Sequence, residues 1–210
     1  MAVQIHKNEI VKTEEELGTD FIYKLNNFQF DAKRLYDEHI KITKLFGIDP
    51  LKTGQQNLHV RSSAITEGKS EKELFSDFSG SLAGAKNHIR NVKESEFDTI
   101  HPALEGTYTK EVIEEVMSFS FAKVGRVRWL TLSPKTCYSM HKDPDWYRLH
   151  IPLKTNEKSF FIVDEKYFTM PETGSLYVIH PQPLHLAANS SLHEERLHLV
   201  FDTAEEIDFY

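Results

Sequence analysis

Tyr147-Arg148-Leu149-His150-Ile151-Pro152-Leu153-Lys154 alternates residue by residue, and so does Glu195-Arg196-Leu197-His198-Leu199-Val200-Phe201-Asp202. Successive side chains of an extended strand point to opposite faces, so Arg148, His150 and Pro152 share one face while Leu149, Ile151 and Leu153 share the other. In the second stretch Arg196, His198 and Val200 oppose Leu197, Leu199 and Phe201. Each strand therefore has one strongly apolar face and one carrying guanidinium and imidazole groups. A sheet surface turned to solvent explains that pattern cheaply. The alternative is a polar-lined cavity whose walls are packed against helices on their apolar side. The same two residue types recur in both strands beside further histidines, which favours the cavity.

Working outward, the hydrophobic period falls from about 3.6 to about 2 after Phe121. Candidate strands cover 125–132, 136–140, 147–154, 158–164, 166–170, 174–180, 184–188 and 195–202. Turn signals separate them, among them Ser133-Pro134, Asp143-Pro144-Asp145, Thr155-Asn156, Pro171-Glu172-Thr173-Gly174 and Pro181-Gln182-Pro183. Short strands at this spacing predict a jelly roll or sandwich.

The first 120 residues read differently. A strand over 21–25 precedes an Asn26-Asn27 turn, and Asp31 caps a helix running to about Phe46. Leu35, Tyr36, Ile40 and Leu45 lie near one face of that helix, and His39 reads as a packing or surface histidine. Residues 58–62 alternate like a strand. Thr13-x-x-Glu16 and Ser70-x-x-Glu73 have capping-box spacing. Residues 79–84 form a small-residue connector or a lid, and Thr109 caps a helix whose apolar face is Val112, Ile113, Val116 and Met117. The expected architecture is α+β and mainly β, with residues 1–120 as a flank packed on a core of residues 121–210 in one integrated domain.

Composition bounds the function. At 40% hydrophobic and 27% charged residues this is an ordinary soluble composition. A formal charge of -7 without a Lys/Arg block argues against a surface that coats nucleic acid. The single Cys137 excludes an intrachain disulfide and any Cys-rich zinc motif. The N-terminal residues lack the apolar core of a signal peptide and no apolar run approaches a membrane span, so a cytoplasmic location with no membrane partner is expected.

Six of the eleven histidines (His141, His150, His180, His185, His193 and His198) fall within 140–202. His141 and Asp143 are two apart, so on an extended strand both side chains project to the same side. With His185 delivered from a distant strand they make a two-histidine, one-carboxylate face that leaves coordination positions open. That donor set suits non-haem Fe(II). His101, His180 and His193 read as ordinary histidines.

Residues 124–202 resemble the iron and 2-oxoglutarate dioxygenases, in particular the aspartyl/asparaginyl β-hydroxylase group. That group's core has a histidine, an Arg-x-His pair, a Gly turn, then a His, an Asn or Gln, an Arg and an Asp. Here these are His141, Arg148-Leu149-His150, Gly174, His185, Asn189, Arg196 and Asp202. Animal aspartyl β-hydroxylases lack the carboxylate ligand that Asp143 offers, whereas bacterial relatives that hydroxylate free proline keep it.

The resemblance implies a double-stranded β-helix of the cupin-like jelly-roll kind, Fe(II) at His141, Asp143 and His185, and 2-oxoglutarate as cosubstrate. Arg196 would hold the distal carboxylate, because a planar guanidinium matches a carboxylate bidentately. Arg148, His150 and His198 would contact the cosubstrate or the substrate carboxylate. Arg128, Trp146 and Asn189 are the expected substrate contacts. The implied reaction hydroxylates an unactivated C–H and releases succinate and CO2. Asp143 fills the position a halide needs in related halogenases, which favours hydroxylation. The expected partners are O2 and a substrate that is a small molecule or a peptide: an amino acid, an amino-acid-like metabolite or an Asp/Asn residue. A non-catalytic cupin-like module that binds a metal or ligand is the alternative.

Overall fold

A computed structural model of the chain describes residues 3–5, 10–11, 21–61, 70–76, 97–119, 123–143, 147–203 and 207–209. Among these the strands, in chain order, are β1 (Val3–Ile5), β2 (Ile10–Val11), β3 (Ile22–Gln29), β4 (Gln55–Asn57), β5 (His59–Arg61), β6 (Phe97–Ile100), β7 (Val124–Leu132), β8 (Thr136–Cys137), β9 (Arg148–Lys154), β10 (Ser159–Val163), β11 (Lys166–Phe168), β12 (Ser175–Ile179), β13 (His185–Asn189), β14 (Arg196–Thr203) and β15 (Ile207–Phe209). The helices are α1 (Ala32–Leu45), α2 (Pro50–Thr53), α3 (Glu71–Ser76) and α4 (Tyr108–Ser118), with a 3-10 turn over Pro102–Leu104. No helix among the described residues is long and apolar enough to cross a membrane.

Strands β7 to β14 pass back and forth between two antiparallel sheets, changing sheet at every step except the β10–β11 pair, which stays in the smaller one. The larger sheet has the order β2-β3-β12-β9-β14-β7-β4 and the smaller β11-β10-β13-β8. This is the double-stranded β-helix, in which each turn of the chain adds one strand pair to both sheets. The expected strand 136–140 stops at Cys137, and the chain leaves it to form the bridge His141↔His185. Sequence neighbours on the two sheets thus meet around one interior.

Pairing between β9 and β14 sets which residues face that interior. His150 lies opposite Val200 and Arg148 opposite Asp202, while Ile151 opposes Leu199 and Leu149 opposes Phe201. The apolar face of the larger sheet (Val127, Trp129, Leu149, Ile151, Leu153, Leu197, Leu199, Phe201) packs against Leu35 and Ile42 of α1 and Val112, Ile113 and Val116 of α4. Its other face meets the smaller sheet, where Leu132, Tyr177 and Ile179 join Phe161, Val163, Phe168 and Ala187. The polar faces of β9 and β14 are buried, with Arg196, His198 and Asp202 at most 1% exposed.

The N-terminal residues belong to the same sheet. β3 runs straight through Asn26-Asn27, which is not a turn; the irregularity is taken up as a register shift opposite Ser175 and Leu176. Asn26, Asn27 and Phe28 lie inside that bulge, between Leu25 opposite Leu176 and Gln29 opposite Ser175, so the pairs on either side carry the strand through the two asparagines. Asp31 caps α1 as expected, its Oδ1 accepting from Arg34 N at 2.9 Å. The buried side of α1 is Leu35, His39, Ile42 and Thr43, whereas Leu45 is 76% and Ile40 42% exposed. In α4 the cap is Thr107, not Thr109. Thr109 instead donates its hydroxyl to Glu38, whose carboxylate also accepts from Tyr108 N and Thr109 N at 2.9 and 2.8 Å. A carboxylate at a helix N-terminus satisfies orphan N–H groups and complements the helix dipole. Ser70 and Glu73 make the expected capping box at α3. The expected features at 13–16 and 79–84 lie outside the described residues.

Two residues of this scaffold give measurable consequences. Gly174, at φ +83°, turns the chain into β12, and an added Cβ would meet the Phe30 carbonyl oxygen at 2.2 Å. Gly174→Ala is expected to cost about 3 kcal/mol, read from urea unfolding, because both the left-handed backbone and the space exclude a side chain. His39 is buried between α1 and Trp129, its Nε2 donating to Gln56 Oε1 at 3.2 Å. Burial pushes its pKa from 6.5 down to about 4, against the opposing Gln56 bond and Glu195 charge. Above the unfolded value both states are neutral. As pH falls through the window between 6.5 and 4 the unfolded chain takes up a proton that the folded chain refuses. Folding stability therefore falls with acidification, by about 2 kcal/mol at pH near 5 from this group alone. Denaturant melts of wild type and His39→Gln at pH about 7.5 and about 5 are expected to show a shallower pH slope in the variant.

Candidate metal centre

His141 follows β8, Asp143 follows it by two, and His185 opens β13. The backbones of the two histidines exchange hydrogen bonds, His141 N to His185 O at 3.0 Å and His185 N to His141 O at 2.9 Å. Asp143 N donates to Pro181 O at 3.2 Å, which ties the carboxylate's segment to the turn before β13. One potential ligand atom from each residue lies within 4.8 Å of the other two. His141 Nε2 is 3.8 Å from Asp143 Oδ1, and His185 Nε2 is 3.7 Å from Asp143 Oδ2.

Both imidazoles have their other nitrogen engaged. His141 Nδ1 donates to Ser139 O at 2.6 Å and His185 Nδ1 to Pro183 O at 3.0 Å. A carbonyl accepts only, so each Nδ1 carries a proton and Nε2, on the side of Asp143, is the nitrogen left to serve as a ligand. This is how metal-ligating histidines are held in one tautomer. Burial lowers the His185 pKa, with the Pro183 bond opposing. The His185 side chain is 8% exposed and that of His141 39%, so the cluster opens to solvent on the His141 side.

A second group lies deeper between the sheets. Arg196 is fully buried with its guanidinium 4.8 Å from the centre of the Phe161 ring. Among the described residues Nε, Nη1 and Nη2 of Arg196 have no hydrogen-bond partner. Glu195, a possible surface partner, is paired with Lys154 at 2.7 Å. Burial pulls the Arg196 pKa down to about 10, which leaves it charged at neutral pH. Phe161 lies opposite Ala187, two residues along β13 from His185. Arg196 is thus one same-face step, roughly 7 Å along a strand, from the level of the metal ligands.

Between these two groups stand His150 and His198, with Nδ1 atoms 3.1 Å apart. Burial first, then the charges of Arg148 and Arg196, holds His150 well below its ordinary pKa; burial, Arg196 and His150 do the same to His198. Two neutral imidazoles joined through Nδ1 share one proton there. One ring must then carry its proton on Nε2 and the other must not, so the pair offers one donor and one acceptor. Neither Nε2 has a partner among the described residues.

Several expected contacts take other positions. Arg148, expected beside the cosubstrate or substrate, is bonded to two carboxylates of the protein, Asp202 Oδ1 at 2.6 Å and Asp143 Oδ2 at 2.8 Å. Arg128, expected to contact substrate, is buried and ion-paired with Asp202, and its Nη1 donates to Gln55 Oε1 at 3.4 Å. Asn189, expected to contact substrate, braces a loop. Its Nδ2 donates to Leu132 O at 3.0 Å and to Glu194 O at 2.7 Å, and its Oδ1 accepts from Ser191 N. Its place at the far end of β13 from His185 accounts for this. Trp146 lies outside the described residues. His180 stacks on Tyr147 at 5.0 Å, and His101 caps the 3-10 turn through Nδ1.

Asp202 closes the pattern shared with the family, but its role, like those of Arg126 and Phe161, emerges only from the fold. Asp202 is fully buried and faces Arg126, Arg128 and Arg148. Burial alone would raise its pKa, but the three arginines hold the carboxyl well below the usual range. The i, i+2 spacing of Arg126 and Arg128 was the available signal for a shared face; Phe161 carried none.

No curated protein matches the chain. Solved structures to which the chain is similar include a 2OG-Fe(II) oxygenase family oxidoreductase from Burkholderia pseudomallei, at 17% identity and TM-score 0.38, covering 46% of this chain and 57% of that one. The viral collagen prolyl hydroxylase of Paramecium Bursaria Chlorella virus-1 shows 13% identity and TM-score 0.36 over 50% of this chain and 73% of its own. IDO from Bacillus thuringiensis shows 10% identity and TM-score 0.47 over 94% and 99%. This chain therefore spans little more than half the length of the Burkholderia protein. Residues 101–206 match the family described as Aspartyl/Asparaginyl beta-hydroxylase, which takes in the 3-10 turn, α4 and every strand from β7 to β14 as well as the residues around His141, Asp143 and His185. The chain belongs to the aspartyl/asparaginyl β-hydroxylase family.

Proposed function

We propose that this chain is an Fe(II)- and 2-oxoglutarate-dependent hydroxylase acting on an unactivated C–H of an amino acid, an amino-acid-like small molecule or an Asp or Asn residue. The observation that carries the reading is Arg196, a buried guanidinium with no anionic partner among the described residues, one strand step from the His185 level. Burying a charge without a partner costs several kcal/mol, so a bound anion that compensates it is the economical account. The donor set fits iron: two neutral imidazoles with free Nε2 lone pairs and one carboxylate, all on one side.

In this reading His141 Nε2, His185 Nε2 and an oxygen of Asp143 hold the metal. The chemistry supplied when iron is bound is oxidative decarboxylation of 2-oxoglutarate to succinate and CO2, coupled to insertion of one oxygen atom of O2 into the substrate C–H. Arg196 grips the distal carboxylate of 2-oxoglutarate, its plane steadied by Phe161. The His150–His198 pair offers the cosubstrate one N–H and one lone pair without adding charge. Burial of all three groups keeps water away from the diacid and strengthens each contact. The substrate enters on the half-exposed His141 side.

Two measurements test this. Anaerobic calorimetry with Fe(II) is expected to show 2-oxoglutarate binding, and aerobic turnover with free amino acids or Asp- and Asn-containing peptides is expected to yield succinate. Absence of both binding and succinate across that panel would end the proposal. Arg196→Met is expected to weaken 2-oxoglutarate binding by about a hundredfold or more. The same variant is expected to raise the stability of the metal-free protein by about 1–3 kcal/mol, because an uncompensated buried charge is replaced by an apolar chain of similar length.

A further inference from the structure

Asp202 has no part in the ligand set or the anion receptor, yet it is the most enclosed carboxylate in the metal centre's surroundings. It stands directly opposite Arg148 in the β9–β14 register, so backbone pairing fixes the spacing of the two side chains. Arg148 Nε reaches Asp202 Oδ1 at 2.6 Å, and Nη2 of the same guanidinium reaches Asp143 Oδ2 at 2.8 Å. A guanidinium is planar and rigid, so the bond to Asp202 determines where Nη2 points. Asp202 is itself held on its other oxygen by Arg126 at 3.4 Å and by Arg128. The chain of contacts runs from the sheet interior to the carboxylate beside His141 and His185.

We propose that Asp202 is a positioning residue for the metal carboxylate: acting through Arg148, it holds Asp143 Oδ2 so that Oδ1 alone is presented to the metal. This rests on the function proposed above. Asp143 Oδ1 is 3.8 Å from His141 Nε2 and Oδ2 is 3.7 Å from His185 Nε2, so the histidines do not choose between the oxygens; the Arg148 bond, made to Oδ2, does. Occupying Oδ2 with a charge-assisted bond disfavours bidentate coordination and keeps one more position open for cosubstrate and O2. Partners that orient ligating carboxylates typically contribute 10–100-fold to metal affinity. A plainer role for Asp202, neutralising its three arginines, predicts lost stability without a change in metal affinity.

The probe is Mn(II), followed anaerobically by the electron paramagnetic resonance of the free ion. Thermal midpoints of the metal-free proteins are measured alongside. Asp202→Asn and Arg148→Lys are each expected to weaken Mn(II) by about 10–100-fold. The double variant is expected to lose no more than the weaker single, because both act through one relay. Folded Asp202→Asn that binds Mn(II) like wild type overturns the inference, as do single effects that simply add. If Asp202→Asn does not fold, Arg148→Lys decides alone, and wild-type affinity in it overturns the relay. His141→Ala is the control that abolishes binding. Failure of the wild-type protein to bind Mn(II) sinks the proposed function and the relay with it, an outcome distinct from wild-type binding with unaffected variants.

Discussion

The pairing of β9 with β14 is the constraint from which the rest of the molecule follows. Because side chains alternate with period two, a slip of one residue would carry every cation and imidazole to the helix side and every leucine into the polar interior. The observed register puts Leu149, Ile151, Leu153, Leu197, Leu199 and Phe201 under α1 and α4. Each such side chain contributes about 1.5–3 kcal/mol on burial, so the six together supply roughly 9–18 kcal/mol, an upper estimate. Against that stands the several kcal/mol per ion required to bury Arg196 and the Asp202 cluster. The polar interior therefore depends both on the apolar face and on the ion pairs that Asp202 makes with Arg126, Arg128 and Arg148.

Within that interior, four histidines of identical chemistry have been given two different characters. His141 and His185 each donate Nδ1–H to a backbone carbonyl, which frees Nε2 as a lone-pair donor beside a carboxylate. His150 and His198 face each other instead, deep between the sheets and beside arginines, so burial and neighbouring positive charge keep them neutral. What the second nitrogen meets decides whether an imidazole suits a metal or an organic anion. The gradient from half-open His141 to sealed Arg196 also orders the site in depth, with substrate access at one end and an anion receptor at the other.

The N-terminal part of the chain is built into this arrangement and does more than lean against it. β3 and β4 extend the larger sheet at its two sides, and Glu38 of α1 stitches the start of α4 to the same layer. His39 and Phe75 both meet Trp129 edge-on, so the centre of β7 is covered by residues that precede the family-matched region. The position of Arg126 and Arg128, on the opposite face of that strand, depends on this cover.

Period-two alternation in the last ninety or so residues was legible because local geometry alone imposes it: the strands, their buried and polar faces, and the pairing of His141 with Asp143 two residues on all follow from the direction of Cβ along an extended chain. Capping by Asp31 and Ser70 was readable for the same reason, since a cap involves only neighbours within a turn. Where a choice depended on distant partners, local signals did not decide it: Asn26-Asn27 stay in β3 as a bulge between residues paired with β12, and Thr109 gives its hydroxyl to Glu38 while Thr107 takes the cap. The sequence by itself determined which residue types lie on each face. Only the tertiary structure decided that Arg148 bridges two carboxylates, that Arg128 is sealed against Asp202 and Asn189 against backbone, and that Arg196 alone of these keeps an open guanidinium among the described residues. Electrostatic pairing depends on which charges meet across the fold, and no local rule of the chain encodes that distance.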